Sequence, residues 1–338
     1  MSVTFKDVAK ELGVSASTIS KAINDRPGVS EDLRKRILQA LDEKNLRPKQ
    51  RIGGLVKEAG VSITLLVRIN QSVKTDPFYA LITEAISAEL QNHRCSPLYN
   101  VMHERRLEPE AFHEMFESGS ISGAIMVGAD FDVELLEQVA RLGVPVVTVD
   151  NQYDGFGSVN TDNCAGAMDA TRHLIELGHR NIIFLSGPLD HKSIQQRYKG
   201  YLDGLSEGRG GSPIFIECEG VSVDDGYDAI RSCSHGDFTA VFAANDKLAI
   251  GAIKALKEKG KRIPEDISVV GFDDIEWALH TEPPLTTVRT AKHQLGALAA
   301  QLLMHQMNGN EEFHAVNITV AAKLITRGST APVKIRKN

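Results

Sequence analysis

Residues 7–24 read DVAKELGVSASTISKAIN. Apolar residues repeat at helical spacing on both sides of Gly13, so this stretch predicts two short helices joined by a tight turn. Ser15 is placed to cap the second helix, which should end near Asn24. A third helix is expected over residues 31–44, where an acidic first turn suits the helix dipole. The side chains expected to pack inward from the three helices are Val8, Ala9, Leu12, Ile19, Ala22, Ile23, Leu33, Ile37 and Leu41.

The outward face of the second helix is small, hydroxyl-bearing and basic. Its residues are Ala16, Ser17, Ser20 and Lys21. A three-helix bundle used only for packing or dimerisation would need apolar residues there, so the pattern favours a helix-turn-helix domain that places this helix in the major groove of DNA. Residues 1–60 hold 12 Lys and Arg against 8 Asp and Glu, whereas the remaining residues hold 26 against 36. A basic segment on an acidic body indicates an anionic partner for that segment alone.

Residues 61–290 alternate short β-rich runs with helical stretches. Continuous apolar strands between helices are typical of buried parallel sheets covered by helices. The predicted strands are residues 62–69, 123–128, 145–150, 181–187, 240–245 and 267–274. The predicted helices lie near residues 78–92, 132–142, 163–177, 194–207, 224–234 and 246–259. This is enough for two doubly wound lobes, and a ligand of such lobes binds at the carboxyl ends of the strands.

Several classes of function are disfavoured. The sequence has no HExxH, no glycine-rich phosphate loop and no carboxylate pair at a credible spacing, which argues against an enzyme. The four cysteines lack metal-ligand spacing, which indicates reduced thiols. No apolar run reaches the ~20 residues of a transmembrane helix, and no signal peptide is recognisable. We therefore expect a cytoplasmic protein with no catalytic residues, no cofactor, no metal and no membrane contact.

Ordered motifs along the chain carry a resemblance to one family. FKDVAKELGVSASTISKAIN (5–24) and VSEDLRKRILQAL (29–41) resemble the head of the lactose-repressor (LacI/GalR) family of bacterial transcription regulators. Core motifs of that family follow in order: RHLIELGHRNIIFLSGP, RYKGY, AVFAANDKLAIGAIKAL, IPEDISVVGFDD, PPLTTVR and LITRGST. The resemblance implies an α/β fold, with a three-helix helix-turn-helix head and a two-lobed, doubly wound parallel-sheet core like that of periplasmic binding proteins. It also implies a homodimeric DNA-binding regulator, favoured to be a repressor, that is controlled by a small effector and binds a pseudo-palindromic operator.

The resemblance divides the chain into a head, a hinge and a core. The expected bounds are residues 1–47 for the head, 48–60 for the hinge and 61–330 for the core. Lobe one is expected over about 61–160 and 291–318, and lobe two over about 161–290 and 319–330. The family's hinge is a short helix of the pattern Pro-x-x-x-Ala-Arg-x-Leu. The hinge PKQRIGGL (48–55) departs from this pattern, because Ile52 replaces alanine and Gly53-Gly54 replaces arginine and its neighbour.

Matching positions supply the expected DNA contacts. Base reading is implied for Ala16, Ser17 and Lys21. Phosphate contacts are implied for Thr4, Ser15, Thr18 and Asn24. Leu55 matches the leucine that the family wedges into the minor groove of its operator.

Polar residues at strand ends supply the expected effector site. The implied effector-binding residues are Phe78, Tyr79, Asp150, His191, Ser193, Arg197, Asn245 and Asp273. Converging carboxylates, an amide and a guanidinium suit sugar hydroxyls, which both donate and accept. Val221 stands where several relatives carry an aromatic ring, which disfavours a stacked purine and favours a sugar or sugar derivative.

Some of these readings have alternatives. Asp246 and Asp162 can cap helices instead of touching a ligand. Trp277 can roof the cleft or pack at an interface. For the whole protein, the alternative is a sugar-processing enzyme or a pure sugar sensor with a fused DNA-binding head.

Overall fold

The structure is a computed structural model that describes residues 5–15, 18–19, 22, 29–43, 61–68, 76–102, 114–115, 118, 120–128, 131, 133–308 and 315–333. The helices are α1 (Phe5–Glu11), α2 (Glu31–Glu43), α3 (Pro77–Asn92), α4 (Val133–Leu142), α5 (Asn163–Glu176), α6 (Lys192–Glu207), α7 (Val223–Ser232), α8 (Asp246–Glu258) and α9 (Lys292–Asn308), with a 3₁₀ turn at Glu276–Leu279. The strands are β1 (Val61–Arg68), β2 (Cys95–Met102), β3 (Gly123–Gly128), β4 (Val146–Val149), β5 (Gly157–Thr161), β6 (Ile182–Ser186), β7 (Ile214–Glu217), β8 (Ala240–Ala243), β9 (Ser268–Asp273), β10 (Thr286–Arg289), β11 (Asn317–Val320) and β12 (Lys323–Ile325).

The head packs around one small apolar centre. Its buried members are Val8, Ala9, Ile19, Ala22, Ile37 and Leu41, with Leu12 and Leu33 packed against them. Gly13 turns the chain with φ +66°, and the Ser15 hydroxyl oxygen accepts from the N–H of Thr18 at 3.1 Å. The inward residues predicted for the three helices are therefore confirmed, apart from Ile23, which lies outside the described residues.

Lobe one is built on a parallel sheet with strand order β2–β1–β3–β4–β5–β11. α4 packs on it through Leu135, Leu136 and Val139. α3 and α9 pack against each other and against a separate apolar cluster of this lobe. Every residue of β3 and β4 is buried, which explains why their sequences are continuous apolar runs.

Lobe two repeats this arrangement. Its strand order is β7–β6–β8–β9–β10–β12, parallel except for β12, which runs antiparallel to β10. α5 packs with α6, and α7 packs with α8. The first five strands of each lobe therefore have the same spatial order.

Within the described core, the chain passes between the lobes three times. In the first passage, β5 ends in lobe one at Thr161 and α5 begins in lobe two. In the second, β10 ends in lobe two and α9 begins in lobe one at Lys292. In the third, the chain goes from β11 in the lobe-one sheet to β12 in the lobe-two sheet. These passages lie close to residues 160, 290 and 318, where the family resemblance places them.

The sequence did not predict strands β2, β5, β7, β10, β11 and β12 or helix α9. Four of these strands, β2, β7, β11 and β12, are sheet edges. β2 contains Pro97 and Asn100, which depress strand propensity and are tolerated at an edge. β5 and β10 are short and rich in polar residues, GSVNT and TTVR.

Candidate functional site

The cleft between the lobes is lined by side chains from both. Lobe one supplies Asp76, Pro77, Phe78, Tyr79 and Asp150. Lobe two supplies His191, Ser193, Ile194, Arg197, Val221, Asn245, Asp246, Lys247, Asp273 and Ile275. The structure thus brings together all eight residues that the sequence assigns to an effector.

Asp150 and Asp273 face the cleft from equivalent positions in the two lobes. β4 and β9 are the fourth strands of their sheets, and the two aspartates lie at the carboxyl ends of these strands. Both have a left-handed backbone, with φ +61° and +103°, a conformation that costs of order 1–3 kcal/mol in a non-glycine residue. Among the described residues, each has one buried Oδ1 without a hydrogen-bond donor. Two carboxylate oxygens can therefore accept from a ligand that lies between the lobes.

Arg197 is held from several sides. Its Nε donates to Asn163 Oδ1 at 2.9 Å, and Nη1 donates to the carbonyl oxygen of Ala244 at 2.7 Å. Nη2 lies 3.1 Å from Asp273 Oδ1, an ion pair in which no N–H points at the oxygen. The guanidinium also lies 3.9 Å from the centre of the Phe272 ring. These contacts compensate for the burial of the charge without any contribution from a ligand.

The pKa values of two cleft carboxyls are raised. Burial raises the pKa of Asp273, and the positive charges of Arg197 and Lys292 offset part of this rise. Burial and then repulsion from Asp273 raise the pKa of Asp246 well above its usual range. Asp246 accepts from the N–H of Ile275 at 2.8 Å and from the Thr287 hydroxyl at 2.5 Å.

Helix capping accounts for other polar residues at the strand ends. Asn245, and not Asp246, caps α8: its Oδ1 accepts from the N–H of Leu248 at 2.8 Å, while its amide donates to the carbonyl oxygen of Val221 at 3.1 Å. Asp162 caps α5. The capping alternative is thus confirmed for Asp162 and wrong for Asp246.

Two charged residues that the sequence did not assign join the walls of the cleft. Asp76 Oδ1 caps α3 by accepting from the N–H groups of Phe78 and Tyr79, and Oδ2 accepts from Lys247 Nζ at 2.7 Å. Tyr79 donates its hydroxyl to Asp150 Oδ2 at 2.9 Å, and burial, followed by the charge of Asp150, raises the pKa of Tyr79. The Asp-Pro pair before α3 signals a capped helix start. No sequence signal links Asp76 to a lysine 171 residues away.

His191 occupies in lobe two the cap position that Asp76 has in lobe one. Its Nδ1 accepts from the N–H of Ser193 at 3.3 Å and lies 2.9 Å from the Ser193 hydroxyl oxygen. A neutral ring that accepts at Nδ1 carries its proton on Nε2. That nitrogen lies 4.0 Å from Asp150 Oδ2 in the other lobe.

The structure describes only two of the residues assigned to DNA. Ser15 is exposed, and its hydroxyl lies 2.8 Å from that of Thr18. The others, Thr4, Ala16, Ser17, Lys21, Asn24 and Leu55, lie outside the described residues, as does the whole hinge.

Three further observations bound the chemistry of the site. Trp277 is 45% exposed on the 3₁₀ turn and does not line the cleft. In the part of the chain that the structure describes, no cluster of histidine, cysteine and acidic side chains could hold a metal ion. The described helices include none that is both long and apolar enough to cross a membrane.

Comparison with known proteins extends over nearly the whole chain. Residues 4–49 match the family model of bacterial regulatory proteins of the lacI family, and residues 171–330 match a periplasmic binding protein-like domain. The HTH-type transcriptional repressor PurR of Pasteurella multocida is 32% identical over 96% of this chain and 98% of its own length. The transcriptional regulator CelR in complex with cellobiose is 28% identical, with TM-score 0.72 over 97% of this chain and 99% of its own. The lac repressor dimer bound to operator and the anti-inducer ONPF is 26% identical, with TM-score 0.70 over 98% of this chain and 100% of its own.

These relatives are transcription regulators and not enzymes. The chain therefore belongs to the LacI family of bacterial regulatory proteins, and it is a transcription regulator with a helix-turn-helix head and a periplasmic-binding-protein-like core.

Proposed function

We propose that this protein is a cytoplasmic, homodimeric repressor without enzymatic activity, which binds a pseudo-palindromic operator and is controlled by a sugar or sugar derivative in the cleft between its lobes. The proposed domain bounds are residues 1–47 for the head, 48–60 for the hinge and 61–330 for the core. Two structural neighbours support the ligand and partner classes, since one is a complex with cellobiose and the other a dimer bound to operator.

The observation that carries the effector class is the pair of buried carboxylate oxygens on Asp150 and Asp273. A polyhydroxyl ligand supplies the donors that these oxygens lack, and its own oxygens can accept from Arg197 and from His191 Nε2. Phe78 lies between Asp76 and Tyr79 on the lobe-one wall, where an aromatic ring can cover the apolar face of a sugar. The remaining proposed effector contacts are Tyr79, Ser193 and Asn245.

On the DNA side, we propose that the helix predicted between Ser15 and Asn24, which precedes α2, reads the major groove. Base contacts are assigned to Ala16, Ser17 and Lys21, of which the lysine suits guanine O6 and N7. Phosphate contacts are assigned to Thr4, Ser15, Thr18 and Asn24, and the minor-groove wedge to Leu55.

Two linked assays test this function. Full-length protein is used to select bound sequences from a random DNA duplex library, and a thermal-shift screen compares neutral sugars, sugar phosphates and purine bases. A ligand at 100 times its dissociation constant stabilises the protein by roughly 2.7 kcal/mol, which is readily measured. We expect a symmetric enriched sequence, and a sugar that changes its gel-shift affinity and is recovered unchanged. No enriched sequence, or chemical conversion of the sugar, would overturn the proposal.

A further inference from the structure

An ion pair between the lobes is buried where the walls of the cleft meet. Lys247 Nζ donates to Asp76 Oδ2 at 2.7 Å, and the two side chains are 11% and 6% exposed. Asp76 precedes α3 in lobe one, and Lys247 lies in the first turn of α8 in lobe two. The pair thus joins two helix starts that must separate when the cleft opens.

Both partners are fixed to rigid elements. The second carboxylate oxygen of Asp76 caps α3 through the N–H groups of Phe78 and Tyr79, so the carboxylate cannot follow a receding partner without uncapping the helix. Lys247 is anchored two residues after Asn245, the cap of α8. An opening of a few ångströms therefore breaks the pair and leaves two hydrated charges.

Apolar contacts also join the two lobes. Ile250, one turn after Lys247, packs against the lobe-one cluster that contains Phe78 and Ile82. Ile275, which follows β9 in lobe two, is 2% exposed and belongs to the same cluster. Both side chains come from lobe two and pack on lobe one, so their contacts with that lobe must also separate when the cleft opens.

We propose that Asp76 and Lys247 form an interlobe latch, a charge-matched contact that makes the closed arrangement depend on the presence of both charges. A buried ion pair adds little net stability, because desolvation of the two charges offsets their attraction. If one of the two charges is removed, the other is buried without a partner in the closed core, which is unfavourable. In the open core water solvates the remaining charge, so the loss of its partner has little effect there. The inference rests on neither the proposed effector nor the proposed operator, so its test needs neither.

A double-mutant cycle on the full-length protein separates a latch from ordinary packing. Lys247→Met removes the ammonium at similar volume, and Asp76→Asn removes the carboxylate charge but retains a good helix cap. Each single variant should lower the ratio of closed to open molecules by about 100-fold, since one buried charge is stranded. The double variant strands no charge, and its ratio should return to within about threefold of wild type. Lys199→Met is the matched control, because its partner Asp203 lies on the same helix and both are exposed.

The ratio is measured by double electron–electron resonance between spin labels on the two lobes. Suitable label sites are Glu134 and Asp224, which are exposed at the starts of α4 and α7, after Cys164 and Cys233 have been replaced by serine. Labelled subunits are diluted with unlabelled ones so that only distances within one chain are read. We expect a longer distance to become populated in both single variants and to disappear in the double variant. Single variants that match Lys199→Met, or a double variant as open as the more open single variant, would overturn the latch. If Lys247→Met does not fold, Lys247→Gln takes its place in both the single and the double variant.

Discussion

At the scale of single residues, Asp246 links the cleft to the pH dependence of stability. Its folded-state pKa is raised, first by burial and then by Asp273. Folding therefore favours its protonated form, a contribution that is complete below about pH 4 and is lost as pH rises through the folded-state pKa. Asp246→Asn removes this pH-dependent loss of stability, because an amide does not titrate. The hydrogen bonds can be kept, since the amide oxygen can accept from the Ile275 N–H and the amide nitrogen can donate to the Thr287 hydroxyl. Urea unfolding should show a smaller fall in stability from pH 5 to pH 8 in the variant than in wild type.

Asp274 provides a control, because its pKa is shifted in the opposite direction to that of Asp246. Burial alone would raise its pKa, but hydrogen bonds from Arg289 and Arg327, at 2.6 Å each, outweigh this and lower it. Its contribution to stability is therefore present above about pH 4 and lost as pH falls. Asp274→Asn should destabilise the protein at pH 7, and equal pH profiles for the two asparagine variants would contradict both assignments.

Arg197 has a structural role in addition to the proposed effector contact. Its removal strands the buried Asp273 carboxylate and takes away the donors to Asn163 Oδ1 and to the Ala244 carbonyl oxygen. We expect Arg197→Met to lower the free energy of unfolding by about 3 kcal/mol or more, which urea titration at pH 7 would measure. Adding Asp273→Asn should restore part of this loss, whereas no recovery would mean that the loss comes from packing on Phe272 and not from a stranded charge.

At the scale of elements, two glycines let α5 and α6 approach closely enough to form this network. A Cβ on Gly200 would lie 2.2 Å from the Cys164 carbonyl oxygen, and one on Gly204 would lie 2.8 Å from Thr171 Cβ. Gly200→Ala must therefore push the helices apart near Arg197, one turn earlier. We expect a loss of about 1–3 kcal/mol in urea unfolding. Gly236→Ala, which meets open space, is the control, and an equal effect of the two changes would show that helix separation is not the cause.

The hinge is the other element whose glycines have a predictable effect. If residues 48–55 form a helix on DNA, as their resemblance implies, Gly53 and Gly54 oppose it by about 1 kcal/mol each, or about 4 kcal/mol per dimer. Gly53→Ala/Gly54→Ala should then tighten operator binding in gel-shift titration and blunt the effector response. Leu55→Ala should weaken binding, because the wedge is lost. No gain in the first variant together with no loss in the second would exclude the wedge.

At the scale of the whole molecule, the sequence predicted what depends on local pattern. The apolar runs that became β3, β4, β6, β8 and β9 are central strands, and burial on both faces imposes continuous apolar residues on them. Edge strands such as β2 were not predicted, because a strand at the edge of a sheet does not require a continuous apolar sequence. All eight proposed effector residues line the cleft because the carboxyl ends of parallel strands meet at one edge of a sheet. The Asp76–Lys247 contact depends on how two lobes close on each other, which no local pattern encodes.

The third passage between the lobes has a consequence for synthesis of the protein. β11 completes lobe one beside β5, and β12 completes lobe two beside β10. Ser329, further along the chain, donates to the Val269 carbonyl oxygen and accepts from the Thr286 N–H. A ribosome adds about 150 residues between β5 and β11, which takes roughly 8–30 s. Throughout that interval the nascent lobe-one sheet exposes the edge of β5, so this protein cannot complete its domains one after another as they emerge, and its demand for chaperones should be concentrated in that interval.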